Sequence, residues 1–154
     1  MKIFDFDTQF MKGKEHEKFL DSVFSKFVEI QEVEMDLQRK GIDRIFLYKD
    51  MACAVEYKGD RRASITGNAF IETISSSRTG SAGWARKTQA DWIVYFLPQE
   101  MKAYIISVKE MKARLNDWWN TYPVGTAMNE GYYSQGILVP LTEIEKCSTI
   151  ISCL

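Results

Sequence analysis

The chain has 154 residues, which is the size of one ordinary domain with room for a full hydrophobic core. Hydrophobic residues make up 45% of it and charged residues 27%, close to the average of soluble globular proteins, which argues against wholesale disorder and fibrous architectures. The net charge of −1 is unevenly spread, because residues 36–87 carry ten Lys/Arg and six Asp/Glu while the rest carries ten and fifteen. This polarity is compatible with one basic face for a polyanion.

The sequence predicts a cytoplasmic protein. No apolar run approaches the roughly 20 residues that span a bilayer, so no membrane association is expected. The first residues include Asp5 and Asp7, where a signal peptide would need a positively charged flank and then an apolar stretch.

The side chains available for catalysis are mainly carboxylates and lysines. The three cysteines are scattered without a Cys-x-x-Cys pair, and His16 is the one histidine. This inventory fits neither a disulfide framework nor a zinc site. Cys–His and Ser–His–Asp mechanisms would have to use His16, which stands in a charged helix start without a partner motif.

The predicted elements alternate between helices and strands. Apolar residues recur at helical spacing over residues 14–30 and predict the first helix. Two β-rich runs, residues 41–48 and 51–58, are separated by Lys49-Asp50 and predict a hairpin. The later predictions are strands at 69–74, 92–97 and 103–108, a helix at 108–120, a last strand at 137–141, and a terminal helix opened by a Ser/Thr-x-x-Glu capping box at 142–145. This order predicts an α/β fold, a single domain over 1–154 with a central mixed β-sheet flanked by helices.

The hairpin brings two acids together. A two-residue turn at Lys49-Asp50 sets Tyr48 opposite Met51, and the same register sets Asp43 opposite Glu56. Because side chains alternate along a strand, Lys58 emerges on the same face as Glu56 and Asp43. Most of that face is apolar and is predicted to be core.

Two acids and a lysine at the end of an apolar face predict a Mg²⁺ site, with Mn²⁺ as the other option. Such groups are expensive to desolvate unless a divalent cation between Asp43 and Glu56 neutralises them. The cation, held also by the main-chain carbonyl of Tyr57, would polarise a phosphodiester and lower the pKa of a bound water. Lys58 would orient that water or stabilise the developing charge. The alternative is a solvated strand face or a cross-strand ion pair.

This pattern resembles the PD-(D/E)XK nuclease superfamily, which includes restriction endonucleases, phage exonucleases and Holliday-junction resolvases. Asp43 begins one strand and Glu56-Tyr57-Lys58 ends the next. The stretches that look like those of small phage-type and bacterial members are residues 66–72, 83–84 and 90–96. The resemblance covers residues 15–97, and Ile42 stands where the proline that names the motif would be.

The resemblance implies a restriction-endonuclease-like fold and a role for each matching residue. Asp43 and Glu56 would be metal ligands, and Lys58 the catalytic lysine. A glutamate on the first helix completes the site in many resolvase-like members; Glu15 or Glu17 would do so here, with Glu17 slightly preferred.

The loop at residues 79–88 is rich in small residues and is predicted to contact nucleic acid. The cations predicted to neutralise the phosphate backbone are Arg61, Arg62, Arg86 and Lys87. Trp84 would stack on a base, or it would cap the core.

Two further acids have two interpretations each. Asp36 is a loop cap or an alternative metal ligand. Glu72 pairs with Arg61 or Arg62, or it extends the metal site.

The resulting hypothesis is a Mg²⁺-dependent nuclease that hydrolyses phosphodiester bonds of DNA with a metal-activated water as the nucleophile, and RNA stays open as a substrate. A homodimer would be one way to act on two strands. The alternative is a non-catalytic protein of the same fold, a phage- or plasmid-type inhibitor or accessory factor that binds a host protein or nucleic acid.

Overall fold

A computed structural model describes residues 13–154, and the acidic start of the chain lies outside them. The α-helices in this range are α1 (Gly13–Phe24), α2 (Met35–Arg39), α3 (Ala63–Thr66), α4 (Trp84–Lys87), α5 (Val108–Thr121) and α6 (Leu141–Ile144). The strands are β1 (Glu29–Glu32), β2 (Arg44–Tyr48), β3 (Met51–Gly59), β4 (Asn68–Ile74), β5 (Trp92–Leu97), β6 (Lys102–Ser107), β7 (Val124–Asn129), β8 (Tyr132–Pro140) and β9 (Ser148–Ser152). None of the described helices combines the length and the apolar character needed to cross a bilayer.

The strands form two sheets. The first has six strands in the order β1-β2-β3-β5-β6-β9, and the second has three in the order β4-β8-β7. In the six-stranded sheet β3 and β5 are parallel and the other neighbouring pairs are antiparallel. The predicted α/β class with a mixed sheet flanked by helices is therefore confirmed. The three-stranded sheet is an addition that the sequence analysis did not foresee.

The six-stranded sheet buries both of its faces. On one face, α1 contributes Leu20 to a cluster that includes Val55 of β3. On the other face, Ile93 of β5 packs with Ile71 of the three-stranded sheet and Met111 of α5. Because side chains alternate along β3, the even-numbered residues near its end point toward this second cluster and the smaller sheet.

The predicted hairpin and its register are confirmed. Tyr48 lies opposite Met51 and Arg44 opposite Val55, with Lys49-Asp50 as the turn. The turn has no glycine, and Lys49 itself adopts a left-handed conformation with φ of 54°.

The first helix is shorter than predicted. It ends at Phe24, and residues 29–32 instead form β1, which pairs with β2 so that Glu29 lies opposite Leu47. Val28 and Ile30, which continue the helical spacing, still pack on the α1 side of the sheet. The prediction was wrong here because β-branched residues two apart also fit a strand, and β2 offers an edge to pair with.

The C-terminal predictions also need correction. The last strand is β9, which pairs antiparallel with β6, and β7 was missed altogether. Thr142 does not cap a helix, because α6 begins at Leu141 directly after Pro140 and has no side-chain cap. β9 depends on a strand more than 40 residues earlier in the chain, and local patterning carries no signal for such a pairing.

Candidate active site

Asp43 is fixed at the end of the β2–β3 ladder. Its N–H donates to the carbonyl of Val55 (2.9 Å), and its Oδ2 accepts the N–H of Tyr57 (2.8 Å). The Asp43 carboxylate, beside Glu56, therefore accepts the Tyr57 N–H in place of a backbone carbonyl of β2. Because the N–H and C=O of one strand residue point to the same side, the carbonyl of Tyr57 also points toward Asp43.

Glu56 is a buried carboxylate that is only partly compensated. Its residue is 4% exposed, and Oε1 lies 3.1 Å from Nζ of Lys58. Oε2 is buried and has no hydrogen-bond partner among residues 13–154. The nearby Thr88 hydroxyl donates to the carbonyl of Gly41 (3.1 Å) instead. Burial raises the pKa of the Glu56 carboxyl above its ordinary value, and the Lys58 ammonium and the adjacent Thr88 hydroxyl oppose that shift.

Gly41 keeps space open beside Glu56. It follows α2 and adopts a φ of +78°, which turns the chain toward β2. A Cβ at this position would lie 2.9 Å from Oγ1 of Thr88 and 3.0 Å from Oε2 of Glu56. The lack of a side chain at residue 41 therefore serves both the turn and the site.

Lys58 connects two clefts. The small cleft, of about 230 Å³, is lined by Gln38, Arg39, Gly41, Glu56, Lys58, Glu72, Trp84, Lys87 and Thr88. The large cleft, of about 870 Å³, shares Lys58, Glu72 and Trp84 with it and extends over the outer face of the three-stranded sheet. The Lys58 ammonium lies 5.8 Å from the centre of the Trp84 ring. A ligand spanning both clefts would pass this lysine.

Glu17 faces the site from α1 but is engaged by an arginine. Its Oε2 lies 3.6 Å from a guanidinium nitrogen of Arg44, which is buried and also binds Asp21 (3.1 Å). Burial and then the Asp43 carboxylate raise the pKa of Glu17, against the effect of Arg44. Residues 13–154 contain no group of three or more His, Cys, Asp or Glu side chains placed to hold a metal ion. The role of Glu17 as a further site acid stays a prediction, and Glu15 is exposed.

The cations predicted to bind phosphates divide between the clefts. Arg61 and Arg62 line the large cleft, where the chain leaves β3. Lys87 lines the small cleft, and Arg86 is exposed next to it on α4. Arg61, Arg62 and Lys87 thus line clefts that both contain Lys58, whereas Arg86 lines neither cleft. Contact of these cations with nucleic acid stays a prediction.

Trp84 is part of the wall between the clefts. Its ring centre lies 6.2 Å from that of Tyr95, and its side chain packs against the core that includes Ile71. Its backbone N–H donates to Oε1 of Glu72 (3.3 Å). Glu72 therefore holds the start of α4, which neither interpretation of Glu72 had included. Asp36 forms an exposed ion pair with Arg39 (4.0 Å) on α2.

Asp60 and Tyr95 hold the segment that carries Arg61 and Arg62, and neither was predicted as a site residue. Asp60 Oδ1 accepts the N–H groups of Arg62 and Ala63, each at 2.9 Å. The Tyr95 hydroxyl donates to Asp60 Oδ2 and accepts the N–H of Phe70 (3.0 Å). An aspartate three residues before the first residue of a short helix is a typical N-terminal capping signal, so Asp60 could have been found from the sequence.

His16 also lies in the large cleft, although the sequence analysis found no partner motif for it. Its Nε2 is buried without a hydrogen-bond partner among the described residues, and its ring meets Phe96 edge to face. Burial and then the charge of Arg61 lower its pKa. A Cβ on Gly59 would lie 2.7 Å from its Nδ1, so the glycine makes room for the ring.

The fold is similar to that of a solved nuclease. The bacterial homing endonuclease I-Ssp6803I matches with a TM-score of 0.50 and 15% sequence identity, over 69% of this chain and 73% of that chain. No protein-family model and no curated protein matches the sequence. At this identity the likeness concerns the fold alone, which is an endonuclease-like mixed α/β architecture.

Proposed function

We propose that the protein is a Mg²⁺-dependent nuclease of the PD-(D/E)XK type that hydrolyses phosphodiester bonds of DNA. The observation that carries the proposal is the buried Glu56 carboxylate beside Asp43, with one oxygen on Lys58 and the other accepting no hydrogen bond from the residues that the structure describes. The endonuclease-like fold supports it at the level of architecture.

The donor set suits Mg²⁺. Burying a charged carboxylate costs several kcal/mol unless it is compensated, and Lys58 compensates only one of the two Glu56 oxygens. The space beside Oε2 depends on Gly41 having no side chain. Asp43, Glu56 and the carbonyl of Tyr57 would hold the ion, which takes few protein oxygens and keeps several waters. Mn²⁺ accepts the same oxygen ligands.

Each residue then has a chemical task. A bound Mg²⁺ would polarise the scissile phosphate and lower the pKa of the attacking water. The Lys58 ammonium would donate a hydrogen bond that orients the water or stabilises the charge that develops on the phosphate. Tyr57 donates its N–H to Asp43 and so orients that carboxylate.

The surrounding cations would hold the substrate. Arg61 and Arg62 on one side of Lys58, and Lys87 on the other, would neutralise consecutive phosphates of one strand. Arg86 would add a contact at the exposed end of the small cleft. These contacts do not read bases, so the sequence of the DNA would matter little to them.

The test is cleavage of linear, circular and single-stranded DNA, and of RNA, in Mg²⁺, in Mn²⁺ and in EDTA. Wild-type protein is expected to cut DNA only when a metal is present. Lys58→Met should lower the cleavage rate by about 100-fold or more, the usual effect of removing a group that stabilises transition-state charge. Lys49→Met is the matched control, because Lys49 lies on the same hairpin at the exposed turn, over Tyr48.

Two results would overturn the proposal. One is the absence of cutting under every condition by a folded wild-type protein. The other is equal cutting by Lys58→Met and Lys49→Met. Cutting of RNA alone would correct the substrate and keep the chemistry.

A further inference from the structure

The floor of the large cleft is an aromatic side chain seated on a glycine. Phe70 of β4 projects from the outer face of the three-stranded sheet, opposite to its buried neighbours Ala69 and Ile71. The outer edge of its ring covers Gly136 of β8, where a Cβ would lie 2.8 Å from Cε2 and Cζ. Since nothing larger than glycine fits beneath the ring, residue 136 fixes the position of this platform.

Positively charged side chains lie beside Phe70 in the large cleft. The cations of the lining are Lys58, Arg61 and Arg62, and Trp84 lies next to them in it. Among the described residues, the acids in the same lining are Asp60 and Glu72. Asp60 accepts the N–H groups of Arg62 and Ala63 and the Tyr95 hydroxyl, and Glu72 accepts the N–H of Trp84. Both acids keep their charge but are held by protein donors, and the three cations of the lining outnumber them, which favours an anionic ligand.

The size of the cleft limits the form of that ligand. Its volume of about 870 Å³ falls in the range of pockets that hold one small organic molecule, about 300–1,000 Å³. A B-DNA duplex is wider than its major groove of about 12 Å and does not fit inside a cleft of this volume. A short single-stranded segment is the form of nucleic acid that matches the size of the cleft.

We infer that the large cleft takes unpaired nucleotides of the substrate strand, with a base stacked on Phe70 and the phosphates toward Lys58, Arg61 and Arg62. This inference rests on the proposed function in taking a nucleic acid as the substrate. Because Lys58, Glu72 and Trp84 also line the small cleft, the phosphate next to the seated nucleotides reaches Glu56. The substrate class is thus DNA with a single-stranded segment at the cut, such as a free strand, a flap or a splayed end.

Binding without cleavage tests the inference. Fluorescence anisotropy would compare an oligothymidine of about 12 nucleotides with a blunt duplex of the same length, in EDTA. The single strand is expected to bind about tenfold more tightly or better. Phe70→Leu keeps an apolar side chain over Gly136 but removes the ring, and should weaken single-strand binding roughly five- to 150-fold. Duplex binding should stay the same.

Two further variants make the comparison robust. Tyr133→Leu is the matched control, because Tyr133 is a half-exposed aromatic residue on β8 that does not line the cleft. Thr126→Glu adds a negative charge at an exposed position of the lining, with little risk to folding, and should weaken single-strand binding as well. Thermal melting verifies that each variant is folded.

The inference is overturned if blunt duplex binds as tightly as the single strand, or if Phe70→Leu and Thr126→Glu both bind like Tyr133→Leu. A nuclease that cuts blunt duplex and free strand equally, with Phe70→Leu as active as wild type, would also overturn it and leave the proposed function standing. Binding of the single strand through Phe70 by a protein that never cuts would overturn the proposed function and leave this inference standing.

Discussion

The Lys58 ammonium lies 3.1 Å from Oε1 of Glu56, its neighbour but one on β3, while Oε2 of the same carboxylate has no partner among residues 13–154. The strand thus places a buried acid and its cation on one face but leaves half of the acid uncompensated. In the absence of metal this arrangement costs stability, and the cost depends on pH.

Replacing Glu56 by Gln should remove a pH-dependent loss of stability. Burial raises the folded-state pKa of Glu56 above its ordinary value of 4.5, so the folded protein binds more protons than the unfolded chain above that pH. The free energy of unfolding of wild type should therefore fall relative to that of Glu56→Gln as pH rises above about 4.5, and the fall should end once pH has passed the raised folded-state pKa of Glu56. Urea unfolding in EDTA over a pH series measures this difference.

Millimolar Mg²⁺ should shrink the same difference at neutral pH, because an ion that binds the folded state of wild type stabilises it. Parallel pH curves for wild type and Glu56→Gln in EDTA would contradict the idea that the buried charge is uncompensated.

Gly41→Ala should destabilise the fold and impair metal binding. A side chain at φ of +78° costs about 1–2 kcal/mol, and its Cβ would press on Thr88 and on Oε2 of Glu56. Gly67→Ala is the control, because Gly67 has φ of +75° and nothing within 4 Å of an added Cβ. The measurements are the free energy of unfolding and Mn²⁺ binding by calorimetry. Equal effects of the two variants on Mn²⁺ binding would mean that residue 41 does not shape the site.

Arg44→Met should destabilise the protein by about 3 kcal/mol. Arg44 is 8% exposed, and its removal leaves the partly buried Asp21 without its cation and with only the Tyr57 hydroxyl as a side-chain donor among the described residues. Arg39→Met, at the exposed ion pair with Asp36, should cost less than about 1 kcal/mol. Chemical denaturation measures the free energy of unfolding of both variants. Similar losses of stability would show that the ion pair of Arg44 with Asp21 is well solvated.

Tyr95→Phe should loosen the large cleft. The variant removes a buried hydroxyl that joins Asp60 to the N–H of Phe70 and leaves only the longer direct bond between them (3.4 Å), and losing such a buried partner costs about 1–3 kcal/mol. Single-strand binding should weaken too, since Phe70 loses one of its anchors. Tyr48→Phe, at an exposed position on the hairpin, is the control and should change neither stability nor binding. Unchanged single-strand binding by Tyr95→Phe would mean that the Tyr95 hydroxyl does not contribute to binding in the large cleft.

The hairpin is the part of the site that local pattern predicts well. Residues 44–48 and 51–58 are β-rich, the break between them is two residues long, and side chains alternate, so the register follows from the sequence. That register alone brings Asp43 beside Glu56 and puts Lys58 on the same face. The roles of these residues as metal ligands and catalytic lysine stay predictions.

The sequence by itself thus determined the mixed α/β class and one face of a hairpin that joins two acids to a lysine. Only the tertiary structure decided that Glu56 is buried, because Gly41 and Thr88 approach it from other elements. It also decided the second sheet, whose Phe70 and Gly136 lie 66 residues apart. Alternation within a strand is a property of neighbouring residues. The burial of a charge and the shape of a cleft depend on which distant segments pack together, and no short stretch of sequence contains that information.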